Sequence, residues 1–440
     1  MIKIAKIAEA MQKVLGQVAD EAGKATGFIK RQVKVTGSNF AKTLVLGWLS
    51  NPTASLEELC QTALDVGLEI TPQGLDLRFT KTAAACLKQV LEQAVEQVVI
   101  SDPVAVPLLQ RFNGIYLDDS STVTLPDALS EIWKGCGCGS DKGNATVKLH
   151  VRYDYLRGQL VGLELSDGRT QDRTSALQAK PLPAGSVWLA DLGYWKLAHL
   201  SAAQARGQYW LFRLHPQTAI FTADDKSWDL ASLLSAQSGQ EVELAVELGA
   251  KERLPARLFA RRVPPQIAEQ RRRRVREQAK RRGKTPSKNQ LYLADWVVFV
   301  TNIPSELINL TEVFVLARVR WQIELLFKLW KSHLQIDTSR SQNPWRILCE
   351  FYGKLIGAVI QHWLLLVGCW QFPDRSFFKA AKTIQARVVL LTVSFHDVHL
   401  LTQALLKIQQ NLQQGHKITK RKKSPATFQR LQSTQAPPLA

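Results

Sequence analysis

Through residues 1 to about 105, Leu, Ala and Val recur at three- and four-residue steps with no alternating stretch among them, a pattern that predicts helices throughout. The opening MIKIAKIAEAMQKVLGQVADEAGK mixes its apolar residues with Lys, Glu and Asp. It predicts an amphipathic helix and lacks the unbroken apolar run of a secretory signal. Ser55-Leu56-Glu57-Glu58 has capping-box spacing, a turn around Gly67 follows, and Thr71-Pro72 predicts the opening of another helix. A helix, a turn and a helix suit a DNA-binding layout and an ordinary bundle alike.

From about residue 112 the period changes to two. FNGIYLDD predicts a short strand ending at Asp118 and Asp119, and TVKLHVRYDYLRGQLVGLEL predicts a hairpin turning at Arg157-Gly158. SVWLADLGYW, residues 186–195, predicts a further strand with Asp191 at its end; a helix, LAHLSAAQAR, and a strand, YWLFRLH, follow. Strands also dominate residues 215–303, in AIFTA, EVELAVELG, LPARLFARRV and WVVFVTNI. From about 304 to 413 the chain turns helical again. The apolar LIGAVIQHWLLLVGCW, residues 355–370, falls short of the ~20 residues a bilayer requires and predicts a buried core helix, not a membrane span. Hairpin-paired strands followed by strands interleaved with helices predict an α/β fold with a mixed sheet.

Charge sharpens this picture. The 440 residues carry 57 Lys and Arg against 38 Asp and Glu, a formal +19. With a hydrophobic fraction of 45%, the chain is not a disordered polybasic tail, and its basic excess points to a polyanion partner, nucleic acid first among them. Residues 251–290 hold 15 basic and three acidic side chains, a net +12, centred on EQRRRRVREQAKRRGKTPSK. That run predicts a solvated helical face, a loop, or both. A second cluster joins Lys417 to Lys420, Arg421, Lys422 and Lys423. The six cysteines have no repeated spacing and predict free thiols in a reducing cytoplasm; Cys136-Gly-Cys138 lacks a matching pair and predicts a turn, not a metal site.

In so basic a chain, acids at the ends of apolar strands need a reason, since a buried unpaired carboxylate costs several kcal/mol. Asp118, Asp119 and Asp191 are such acids, each with the alternative of capping its own turn. On the helix LARVRWQIELLFKLWKSHLQID, Arg320, Glu324, Lys328 and Lys331 share one face, which an exposed ion-paired surface would also explain. Three carboxylates on separate elements among Arg and Lys have the composition that two-metal phosphoryl transfer requires.

These residues carry a resemblance. The chain resembles DDE transposases of bacterial insertion sequences, specifically the insertion sequence 4 family, whose signature is Tyr, two residues, Arg, three residues, Glu, six residues, Lys. Arg320, Glu324 and Lys331 fit it, whereas Ala317 stands at the Tyr position. DSSTVTLP from Asp119 to Pro126, ADLGYW around Asp191, DWVVFVTNIP at residues 295–304, and PTASLEELC and LDLRFT in the head also resemble the family. The resemblance implies a ribonuclease H-like core with Asp119, Asp191 and Glu324 as a catalytic, metal-binding triad. Asp119 is favoured over Asp118 by the register to Pro126. The implied layout is a helical DNA-end-binding region at 1–105, the core at 106–214 and 304–372, a β-rich insertion at 215–303, and a helical tail at 373–440. Two Mg²⁺ or Mn²⁺ ions, transposon ends and target DNA as partners, and a homodimer on DNA are implied with it. So is a course of strand cleavage, hairpin formation, hairpin opening and strand transfer. Arg320, Lys328, Lys331 and Arg213 are implied as DNA contacts, Trp321 as a base-stacking ring and Trp296 as its support, although sheet core explains Trp296 nearly as well. The alternative is a noncatalytic DNA-binding descendant of a transposase, for which Ala317 argues mildly.

Overall fold

The computed structural model describes residues 4–31, 34–97, 99–135, 145–372, 374–418 and 425–433. Cys136, Cys138, Lys420, Arg421, Lys422 and Lys423 lie outside them. The head is helical as its periodicity predicts: α1 (Ile4–Gln12), a π turn, α2 (Ala19–Ala25), α3 (Gly37–Ser50), α4 (Leu56–Asp65), α5 (Pro72–Asp76), α6 (Lys81–Glu96) and α7 (Pro107–Gln110). Ser55 and Glu58 cap α4 reciprocally, Thr71 caps α5, and Gly67 turns between them with φ +81°.

Ten strands form one sheet: β1 (Ile115–Thr124), β2 (Thr146–Asp154), β3 (Gln159–Asp167), β4 (Val187–Ala190), β5 (Tyr209–Arg213), β6 (Ile220–Phe221), β7 (Ser227–Trp228), β8 (Glu241–Leu248), β9 (Leu254–Arg262) and β10 (Trp296–Thr301). Their order is β3-β2-β1-β4-β5-β10-β9-β8-β6-β7. β1, β4 and β5 run parallel at its centre, and every other pairing is antiparallel. The strands of residues 215–303 therefore extend the sheet of the first half through β10 instead of building one of their own.

Two strand ends differ from expectation. β1 does not stop at Asp118 and Asp119 but runs on to Thr124, paired with β2 from Tyr116↔Asp154 to Thr124↔Thr146. Its polar residues are tolerated because partners await them across the strand, Arg152 for Asp118 above all. β4 ends at Ala190, short of the expected 195, because the Asp191 side chain accepts the Leu192 N–H at 2.7 Å and opens a 3₁₀ turn, Leu192–Tyr194.

Alternation sorts the sheet into two faces. Leu117, Val187, Leu189, Leu211 and Phe259 point into the larger core, and Trp188, Trp210, Phe212 and Trp296 into the smaller one on the other face. Between β4 and β10 lie α8 (Leu197–Ala205), α9 (Leu230–Ser235), α10 (Pro265–Arg281) and α11 (Lys288–Leu293). After β10 come α12 (Leu310–Ala317), α13 (Trp321–His333), α14 (Pro344–Cys369), α15 (Phe377–Gln385), α16 (Val388–Ser394), α17 (Val398–Gln414) and α18 (Thr427–Ser433). α14 contains the expected core helix: it packs on α3, α6, α15 and α17 and is buried almost throughout. It is the one described helix long and apolar enough to cross a bilayer by length and composition, and 94% of that stretch lies inside the protein. Cys60, Cys86, Cys349 and Cys369 are free thiols.

The β2–β3 hairpin sits on α14 at Gly158. A Cβ there would lie 2.3 Å from the Leu366 side chain, and its φ of +72° also favours glycine. The Gly158 carbonyl accepts the Nε2–H of His362 at 2.6 Å, while the buried Nδ1 has no partner. Burial pushes His362 down to about 4. The unfolded chain, near 6.5, thus binds the proton first as pH falls. Stability from this site is intact above pH 6.5 and declines toward pH 4, by about 3 kcal/mol in all. His362→Gln should be less stable than wild type at pH 7.5, and the deficit should close as urea unfolding is repeated down to pH 4. A deficit constant with pH would show that His362 does not titrate against folding.

Candidate active site

The face under α13 carries the acids. Leu117, Leu189 and Leu211 are mutual partners across β1, β4 and β5. Two residues further along each strand stand Asp119, Asp191 and Arg213, so alternation puts all three on the same face as those leucines, in one row. Glu324 comes to this row from α13, which packs on β1. Asp119, Asp191 and Glu324 line one cavity of about 340 Å³ together with Ser120, Ser121, Arg320 and Phe327.

Asp118, one residue away, faces oppositely. It is 1% exposed, and its oxygens accept Arg152 Nε at 2.8 Å and Nη2 at 2.7 Å, Gln178 Nε2 at 2.9 Å and the Trp188 indole at 3.0 Å. With its lone pairs committed on the far face, it is unavailable to a ligand in the cavity.

Arg320 is the cation of the cavity. Its Nη2 donates to Glu324 Oε1 at 2.5 Å and its Nη1 to Asp119 Oδ2 at 3.3 Å, while Asp119 Oδ1 accepts the Ser120 N–H at 2.8 Å. Asp119 is nonetheless pushed up to about 6: burial dominates, the Ser120 N–H and Arg320 oppose it, and the charges of Glu324 and Asp191 add to the rise. A carboxylate set of this kind suits a hard divalent cation by donor chemistry. Among the described residues no three His, Cys, Asp or Glu side chains are grouped closely enough to hold one ion. The cation that Asp119 and Glu324 share is the Arg320 guanidinium.

α13 is held at both ends. Before it, Arg111 forms a bidentate pair with buried Glu312 of α12, at 2.9 and 2.7 Å, and also donates to Leu307 O. After it, buried Lys354 of α14 donates to Gln335 O and Thr338 O, both at 3.0 Å, and to Glu350 at 2.7 Å. Lys331 donates to Thr122 O at 2.9 Å, tying the helix to β1.

The other expected contacts are dispersed. Lys328 is exposed and lies 6.0 Å from the centre of the Phe378 ring. Trp321 is 54% exposed but lines a different cavity, of about 410 Å³, on another side of α13 with Arg318, Tyr155 and Trp370. Trp296 is 4% exposed in the smaller core, under the Arg262 guanidinium at 4.8 Å. Its ring is packed in the smaller core of the sheet, the placement that the sheet-core alternative gives it. Residues that sequence reasoning missed also shape the site. Ser120 Oγ donates to Asp172 Oδ1 at 2.7 Å, which Lys148 also approaches at 3.3 Å, and Phe327 walls the cavity. Asp172 had no signal beyond its place after a hairpin, but Phe327 could have been found one turn along the helix face from Glu324.

The chain matches the family described as Transposase DDE domain over residues 111–360. It is similar to the transposase for insertion sequence element IS231F of Bacillus thuringiensis subsp. israelensis, at 28% identity, covering 94% of this chain and 93% of that protein. It is also similar to the transposase for insertion sequence element IS1151 of Clostridium perfringens, at 24% identity, covering 78% and 76% respectively. A third is the putative transposase InsL for insertion sequence element IS186A of Escherichia coli (strain K12), at 28% identity over 72% of this chain and 87% of that one.

Removing Arg320 leaves two carboxylates facing each other. Because Asp119 is raised, its ionised form costs stability above pH 6, and Arg320→Gln deepens that cost. Urea unfolding at pH 8 should show a loss of about 1–2 kcal/mol, below the full value of a buried pair because the groups are partly exposed. The loss should shrink as pH drops through about 6 and Asp119 takes up a proton. An equal loss at pH 8 and pH 5 would assign it to packing instead of charge.

Proposed function

Because the chain belongs to the family of DDE-domain transposases, enzymes that act on DNA by metal-dependent phosphoryl transfer, we propose that Asp119, Asp191 and Glu324 are its catalytic triad. The observation that carries this reading is the convergence of three carboxylates, from β1, the end of β4 and α13, on one cavity beside Arg320. The raised Asp119 supports it, pushed up chiefly by burial with the charges of Glu324 and Asp191 adding to the rise, since an acid held at a cost to stability serves a purpose other than folding.

Drawn closer together once Arg320 leaves them, the triad would hold two divalent ions, Mg²⁺ or Mn²⁺, which would activate the attacking oxygen and neutralise the phosphate. Arg320 switches partners, giving its fork to nonbridging phosphate oxygens once the carboxylates are otherwise engaged. Arg213, next in the row after Asp191, binds an adjacent phosphate. Lys331 keeps α13 against β1. Exposed Trp321, which lines the second cavity on another side of α13, stacks on an unpaired base there.

The reaction is cut-and-paste transposition. Water cleaves one strand at the transposon end, the freed 3′ hydroxyl attacks the opposite strand to form a hairpin, water reopens it, and the 3′ end joins target DNA. The head, residues 1–105, binds the terminal repeats, and two copies of the chain bring two ends together. The Arg320, Glu324 and Lys331 spacing supports membership of the insertion sequence 4 group, and the central β1–β5 arrangement supports a ribonuclease H-like core extended by residues 215–303.

The test is incubation with a duplex carrying the element's own end, with Mg²⁺ or Mn²⁺, followed by strand analysis. Wild type should nick and form hairpins. Glu324→Ala should bind the same duplex while nicking falls by more than about a hundredfold, the upper range for losing a mere supporting contact around a metal. Equal activity of wild type and Glu324→Ala would refute the triad, and silence from both with binding intact would favour a noncatalytic DNA-binding protein.

A further inference from the structure

The net +12 of residues 251–290 is not spread evenly around its helix. α10 carries seven basic and two acidic residues, and only Ala268 of it is buried. Glu269 holds Arg272 at 2.8 Å and Arg276 at 3.2 Å, Glu277 holds Arg273 at 3.6 Å, and Asp295 at the start of β10 holds Arg272 at 2.6 Å. At about 100° per residue, Arg274 and Arg281 lie within about 20° of each other, and Arg271 within about 60° of Arg274. The arc from Arg271 through Arg274 to Arg281 contains no acid, and Glu277, about 40° beyond Arg281, is held by Arg273. Among the described residues, no ion pair involves Arg271, Arg274 or Arg281.

The bare flank also has a definite position. Arg271 Nη1 donates to Trp296 O at 3.1 Å, at the first residue of β10. β10 runs antiparallel to β5, with Phe299 opposite Arg213, so the start of β10 and the end of β5 lie at the same edge of the sheet as Asp191. Arg213 and Arg274 are the charges that Arg271 feels, and together with burial, the larger cause, they hold it below the ordinary arginine range. Arginines gathered without an acid repel one another until an anion joins them.

Resting on the transposase reading, we propose that Arg271, Arg274 and Arg281 form a track for the phosphate backbone of duplex DNA. The track begins beside Arg213, next in the row after Asp191, and continues along α10. The other flank of the helix, neutralised by Glu269, Glu277 and Asp295, serves to hold and orient it. The division of labour separates six of the helix's seven superficially equivalent basic residues into DNA contacts and anchors, and DNA passing through the cavity is followed outward along one line.

The test uses the full chain and a labelled duplex carrying the element's end, with affinity measured by anisotropy across a series of NaCl concentrations. Each phosphate contact contributes about 0.9 to the slope of log affinity against log salt. Arg274→Gln with Arg281→Gln should lower the slope by about 2 without changing the melting temperature. A charge-matched control on the exposed surface of the tail, Arg387→Gln with Lys407→Gln, should leave it unchanged. A wild-type slope in the Arg274/Arg281 variant, or an equal drop in the control, overturns the track. If wild type nicks the duplex while that slope is unaffected, the track fails and the transposase reading stands. If the slope falls as expected but wild type never nicks, the track stands and the catalytic reading fails.

Discussion

Adjacent residues of a strand must point to opposite faces, and the architecture around the cavity depends on how that constraint falls at Asp118 and Asp119. The bidentate Asp118–Arg152 pair, reinforced by Gln178 and Trp188, fills one face and locks β1 to β2 in register. A slip of one residue would exchange the faces of the two, taking Asp118 off Arg152 and Asp119 out of the cavity. A structural acid and a candidate catalytic acid thus sit side by side in the chain and are kept apart by geometry alone. The same alternation, carried through the partnered leucines of β1, β4 and β5, lines up Asp119, Asp191 and Arg213.

The third carboxylate of the cavity, Glu324, arrives from far along the chain, and its position is fixed by charges that touch nothing in the cavity. Arg111 and Glu312 set the approach of α12, Lys354 collects the carbonyls beyond α13, and Lys331 fastens α13 to β1. The Arg111 and Lys354 ties are largely buried and do not yield easily to solvent, whereas the Lys331 tie is exposed. Arg320, by contrast, is bound only to carboxylates whose own repulsion it relieves. It is the piece of the site most readily released when another cation or a phosphate enters.

Local chemistry made much of this legible in the sequence. The capping residues Ser55, Glu58 and Thr71, the turn at Gly158, the period-two hairpin around it and the apolar second half of α14 all act within a few residues, and their patterns translate directly into structure. β1 was read as ending too early because Asp118, Asp119, Ser120 and Ser121 look like a turn. Their partners, Arg152, Asp172 and the cavity itself, come from distant parts of the chain. Trp296 was ambiguous for the same reason: an aromatic at a strand start can face either layer, and only the pairing with Arg262 and the packing of the smaller core decide. The helical face of Arg320, Glu324 and Lys331 was visible from spacing, but the separation of Trp321 into a second cavity depends on α14, α15 and the tail around it.

The single sheet has a consequence for the protein's behaviour in concentrated solution. Without β10, the Tyr-Trp-Leu-Phe-Arg run of β5 would be an apolar edge with a free row of backbone donors and acceptors, a template for joining another chain. The inserted strands cover that edge and move the end of the sheet to β7, only two residues long. At the opposite end, β3 carries Glu164 and Asp167. Copies of the protein brought close together meet only a two-residue strand at one end of the sheet and an acid-bearing one at the other, and the extension that bears the basic helix also covers the apolar edge of β5.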